Sequence, residues 1–120
     1  MSDFLKDVLY LEYIIQSVES VEQYIGGEED TLRLLKENNE KYDAILYRLQ
    51  TLAESIRRLD PQTRYEISTT LPWQEIIDFR NVVVHNYLGI ELKVIAGIID
   101  NELPHLKDAI TDYLERKNHE

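Results

Sequence analysis

Residues 80–87, "RNVVVHNY", crowd an arginine, two asparagines, a histidine and a tyrosine around three valines. Arginine is a fixed cation whose planar fork matches phosphate oxygens. Histidine changes charge near neutral pH. Arg80 and His85 therefore pair a charge clamp with a proton-transfer group, the minimum kit for work on a phosphodiester. Asn81 neighbours Arg80 and can hydrogen-bond it or a bound phosphate. A purely structural reading competes with this one. Arg80 could pair with Asp78 or Glu75, and His85 could sit at a helix C-terminus favoured by the dipole.

On a helix, five residues advance ~500°, which leaves Arg80 and His85 ~140° apart. They share no stripe, but near a helix end both can turn towards one groove. The valines pack inward and hold the backbone still.

Other chemistry finds little support. The three histidines, 85, 105 and 119, have no paired ligand spacing, so no metal site and no cofactor are expected. The absence of cysteine excludes disulfides, thiolate metal sites and cysteine nucleophiles. It also suits a cytoplasmic protein. Neither a glycine-rich phosphate loop nor a Ser-His-Asp arrangement is present. The opening "MSDFLKDVLYLEY" carries acids within its apolar run, unlike a signal peptide. No uncharged apolar stretch approaches the ~18 residues that cross a membrane.

Net charge is −10, from 13 basic and 23 acidic residues. Such a surface repels nucleic acid on average, so an RNA-binding role needs basic residues gathered locally. Arg57, Arg58 and Arg64 could supply such a patch if the fold brings them to the motif.

The elements that must position the motif read as helices. Apolar residues from Phe4 to Ile25 follow a 3.6-residue period, with Ser2 as cap and Gly26-Gly27 as stop. The acidic run Glu28–Asp30 and Thr31 look like a second start. The apolar pattern weakens at Asn38-Asn39 and resumes from Tyr42 to Leu59, giving one long helix or a short one before a longer one. Asp60-Pro61 reads as an end or kink, and residues 61–71 as the connection. Pro72 suits the first turn of the motif helix, capped by Thr70 or Leu71 and running to about Tyr87, with Gly89 as the stop. Glu91 starts another helix. Asn101 can cap a last one, with Pro104 in its first turn and a fraying tail. The expectation is a single all-α domain over residues 1–120, an up-and-down bundle of four to five helices.

Several stretches match one family. "VEQYIGG" ends the first helix, and "LQTLAESIRRL" occupies the middle one. "LPWQEIIDFRNVVVHNYLGI" is similar to P-W-x-x-I followed by R-N-x-x-x-H-x-Y, and "IIDNELPHLKDAI" resembles a terminal helix. Over nearly its whole length the chain resembles the HEPN family. Within it, the chain resembles the HepT toxins encoded beside an MNT-type minimal nucleotidyltransferase antitoxin. The R-x4-H-x-Y motif is complete as Arg80, His85 and Tyr87. The departure is in the middle helix, where Leu52 and Ala53-Glu54 replace a glycine-containing "IGEA" form.

The resemblance implies a metal-independent endoribonuclease toxin of a type VII-like pair, working as a homodimer with both motifs facing one cleft. Attack by RNA's own 2′-hydroxyl needs a base and an acid, and a two-fold axis supplies two copies of His85. It further implies silencing by AMPylation of Tyr87 by the nucleotidyltransferase antitoxin, which would block the groove and neutralise its charge. The alternative is a non-catalytic HEPN dimer that presents Tyr87, or nucleotide, to the transferase.

Overall fold

The computed structural model describes the backbone of residues 3–85 and 92–120, and the side chains of residues 4–81 and 92–120. Its helices are α1 (Asp3–Ile25), α2 (Thr31–Glu37), α3 (Asn39–Arg58), α4 (Pro61–Ile67), α5 (Trp73–His85), α6 (Leu92–Gly97) and α7 (Leu103–Asn118). A π-helical turn, Ile98–Glu102, joins α6 to α7. Among the described residues there is no strand. The chain is an all-α bundle, as its periodicity predicts.

Among the described residues the helices form six rods, and two expectations about breaks are corrected, one adding a helix and one joining two. Residues 61–67, expected as connection, are helix α4. Asp60 accepts a hydrogen bond from the Gln62 backbone N–H at 2.9 Å, and Pro61 occupies the first turn, where its missing N–H costs nothing. Asp-Pro thus starts a helix as well as closing the previous one. The buried Asp7 carboxylate of α1 accepts from the Asp60 N–H at 3.3 Å and from the Thr63 hydroxyl at 2.5 Å, which fixes α4 against α1.

Conversely, the break expected at Asn101 is absent. Gly97, Glu102 and Leu103 all keep right-handed helical angles, so α6, the π turn and α7 run on as one column. Pro104 gives the reason. It has no N–H, and its ring crowds the carbonyl four residues back. The Leu103 N–H therefore reaches the Ile98 carbonyl in a π step, and the helix widens instead of stopping. Thr31 donates its hydroxyl to the Asp100 carboxylate at 2.7 Å, tying α2 to this turn. α7 continues to Asn118, with Lys117 3.5 Å from Glu120 and 3.8 Å from Glu66.

Other boundaries follow their signals. Gly26 ends α1 at φ 62, which a glycine adopts without penalty. Asp30 caps α2 through the Arg33 N–H, and Asn38 caps α3 through the Lys41 N–H, both at 3.0 Å. The shorter-then-longer pair is therefore correct. Pro72 sits just before α5, not within its first turn, and its carbonyl accepts the Ile76 N–H at 3.1 Å. Ser68 builds the approach. Its hydroxyl accepts from the Thr70 and Leu71 N–H groups at 3.1 Å, and its carbonyl accepts the Trp73 indole N–H at 3.0 Å. The Ser2 cap, the end near Tyr87, the Gly89 stop and the Glu91 start lie outside the described residues.

α3 lies between α1 and α5. Its inner face, Ile45, Leu49, Leu52, Ala53 and Ile56, is buried in one core with Leu11, Ile14, Val18 and Val21 of α1 and Ile76 and Phe79 of α5. Fully burying such side chains stabilises by roughly 1.5–3 kcal/mol each. That packing sets the register of α5 on α3, and hence what Arg80 meets.

Candidate active site

Arg80 emerges from α5 beside Phe79, which is buried, and its own side chain is 45% exposed. Neither Asp78 nor Glu75 is its ion-pair partner. Asp78 instead accepts the Gln74 side-chain amide at 2.8 Å. Arg80 faces Glu54 of α3, with Nε 3.9 Å from Oε2. At that distance the contact is one of charge and not a hydrogen bond.

Glu54 is already held by its own helix. Arg57 grips it with two bonds, Nη2 to Oε1 at 2.6 Å and Nε to Oε2 at 3.1 Å. Arg58 Nε donates to Oε1 at 3.1 Å. Hydrogen bonding from Arg57 leads in holding the Glu54 carboxyl at about 2, well below the usual carboxylate range; burial opposes it, and the charge of Arg57 and then Arg58 add to it. The same contact raises Arg57. One carboxylate thus gathers three guanidiniums from two helices, leaving a surplus of positive charge on an acidic protein.

The local sequence explains the arrangement. Glu54, Arg57 and Arg58 stand at i, i+3 and i+4, the spacing that brings side chains together on a helix surface. Both arginines occupy the last turn of α3, where the dipole favours cations. Ala53 is buried, so its methyl lies inside the core. Its neighbour Glu54 is turned outward to the arginines.

Of the residues expected from sequence, Arg80 and Asn81 are adjacent and exposed on α5. His85 closes the described part of the same helix, so backbone spacing is helical throughout from Arg80 to His85. The His85 side chain and all of Tyr87 lie outside the described residues. Of the three arginines expected to form a patch, Arg57 and Arg58 join Arg80. Arg64 does not; it lines a separate depression with Pro61, Tyr65, Ser68, Thr69 and Trp73. Glu54 is the residue that sequence reasoning missed. Its i+3 and i+4 spacing to Arg57 and Arg58 was visible, whereas its approach to Arg80, 26 positions away, was not.

Nothing among the described residues groups three or more metal-ligating side chains. None of their helices is long and apolar enough to cross a membrane.

The helix that bears R-x4-H thus packs, within an all-α bundle, on a helix that ends in two arginines. The family described as Ribonuclease HepT-like matches residues 14–112, and the chain belongs to it. It is 30% identical over 115 residues to the "Gamma-glutamylcyclotransferase and putative RNase" of Methanocaldococcus jannaschii, covering 92% of this chain and 49% of that protein. The chain therefore spans about half the length of that relative. The "Putative RNase" of Caldanaerobacter subterraneus subsp. tengcongensis is 27% identical over 115 residues, which cover 90% of this chain and 94% of that one. The "Probable ribonuclease HepT" of Thermococcus cleftensis is 24% identical over 100 residues, covering 82% and 86%. No solved structure gives a significant match.

Proposed function

We propose that this chain is a single HEPN-like domain acting as a metal-independent endoribonuclease, the toxin of a type VII-like toxin–antitoxin pair. The observation that carries the reading is Arg80, exposed on the helix that also bears His85 and set at the edge of a cationic cluster. The family and the names of its relatives support RNA as substrate.

In this reading two protomers face their motifs across one cleft. His85 of one protomer takes the proton from an RNA 2′-hydroxyl. The 2′-oxygen attacks the adjacent phosphorus, and the bond to the 5′-oxygen breaks. The partner's His85 gives its proton to that leaving oxygen. The products are a 2′,3′-cyclic phosphate and a free 5′-hydroxyl, with no metal or water consumed. Arg80 stabilises the charge that builds on the phosphorane oxygens, and Asn81 supports it. Tyr87, two residues after His85, is the hydroxyl to which an MNT-type nucleotidyltransferase antitoxin transfers AMP from ATP: the tyrosine oxygen bonds the α-phosphorus, the α–β bond breaks, and pyrophosphate leaves. The added phosphate would place negative charge beside Arg80. The reaction stays in the cytoplasm, where RNA and the antitoxin are.

The net charge of −10 favours a second reading, in which the dimer is a non-catalytic module presenting Tyr87 to the transferase. Expression in a host cell separates the two. A ribonuclease toxin arrests growth, and His85→Ala relieves the arrest. Co-expression with the transferase relieves the parent but not Tyr87→Phe. Arrest that persists in His85→Ala contradicts the ribonuclease reading.

A further inference from the structure

The three arginines around Glu54 have a use that Arg80 alone does not explain. Arg57 and Arg58 already satisfy the carboxylate with three hydrogen bonds, and a half-exposed guanidinium at 3.9 Å adds no further hydrogen bond to it. Stability therefore gives little reason for the third guanidinium. The arrangement has a graded geometry. Arg57 and Arg58 are hydrogen-bonded to Glu54 at 2.6–3.1 Å, and Arg80 stands off at 3.9 Å. All three side chains are between 45% and 57% exposed, while the carboxylate between them is 29% exposed. The cations face solvent and the anion sits behind them.

We propose that Glu54 is a positioning residue that sets Arg80 for the scissile phosphate and holds Arg57 and Arg58 as a second site for a neighbouring phosphate of the same RNA strand. Bound RNA then meets a short cationic track running from α5 onto the end of α3. This places a local basic surface on a chain whose overall charge opposes RNA. Glu54 acts through Arg80 and touches no reacting atom. Its low carboxyl value means that it stays ionised through the whole working pH range.

The catalytic half of this proposal rests on the ribonuclease reading, and the binding half does not. The test has two arms on the full chain, with folding checked by thermal melting. In the first, Glu54→Gln lowers kcat about 10- to 100-fold, as expected when a clamp loses its aim. Its affinity for RNA is unchanged or tighter, because a negative charge has gone. A merely electrostatic Glu54 would give tighter binding with the parent's kcat. Should Glu54→Gln not fold, Glu54→Asp keeps the charge, shortens the reach and shows the same loss of kcat.

In the second arm, Arg57→Gln and Arg58→Gln are titrated with a single-stranded oligonucleotide carrying 2′-deoxy sugars, which cannot be cut. Each weakens binding and flattens the plot of log Kd against log salt by about 0.7. An unchanged kcat in Glu54→Gln, or parental salt slopes in both arginine variants, overturns the proposal. A parent protein that cuts no RNA defeats the ribonuclease reading by itself, and the phosphate track is then judged by the salt slopes alone.

Discussion

Two glutamates gather cations between helices, and they do so differently. Glu66, on α4, meets the end of α7. Lys117 lies 3.8 Å from its carboxylate, the Tyr113 hydroxyl donates to it at 3.5 Å, and Arg116 donates to its backbone carbonyl at 3.5 Å. Arg116 lines a groove with Asp112 and Glu115, so local charge is balanced by acids. Tyr113 is buried beneath, with Lys117 and Arg116 over its ring at 5.6 and 5.9 Å. These are long, shared contacts that fasten one helix end to another. Glu54 instead makes short bonds to two arginines of its own helix and draws in a third from α5. The first cluster closes on itself. The second leaves positive charge facing outward. On the proposed reading, the balanced cluster serves the fold and the cluster with surplus charge serves a ligand.

Substitutions in the two regions should therefore separate activity from stability. The largest effect is expected for Arg80→Ala, which lowers RNA cleavage by about 10²- to 10⁴-fold with little change in melting temperature. Arg80→Lys stays impaired, because a point charge does not replace the fork. A melting shift as large as the loss of rate would make Arg80 structural. Next comes Ile56→Ala, under the Glu54 turn and fully buried. It should destabilise by about 2–5 kcal/mol in denaturant unfolding, because α3 carries the core shared by α1 and α5. Glu66→Gln should cost less than about 1 kcal/mol and leave cleavage untouched. A strong loss of cleavage there would erase the distinction drawn between the two glutamates.

The smallest effect concerns pH. Because the folded Glu54 carboxyl is lowered to about 2, its contribution to stability is complete above the ordinary value of 4.5 and is lost as pH falls towards about 2. Carbon-13 shifts of the Glu54 carboxyl should therefore stay those of the ionised form at pH 4. Titration near 4.5 would mean that Arg57 and Arg58 do not hold it in solution.

Much of this was legible before any coordinates. The period of α1, its glycine stop and the apolar face of α3 are local signals, and helices form from local signals. The motif was legible through the family resemblance and not from its short spacing, and of its residues the side chains of Arg80 and Asn81 are described, both exposed on α5. Three things were hidden for physical reasons. Asp60-Pro61 suits both the end of one helix and the cap and first residue of the next, and only the partner offered by Asp7 on α1 decides between them. Pro104 usually signals a boundary, but a π step lets the column absorb the missing donor. The meeting of Glu54 with Arg80 depends on how α5 seats on α3, a matter of core packing that no spacing along the chain encodes.

The central claim is that Arg80 and His85 cut RNA without a metal. The direct test incubates purified parent, Arg80→Ala and His85→Ala with RNA in excess EDTA and identifies the ends produced. The account predicts fragments ending in 2′,3′-cyclic phosphate from the parent at an undiminished rate, and none above background from either variant. Cleavage that EDTA abolishes, or that His85→Ala retains in full, would contradict it.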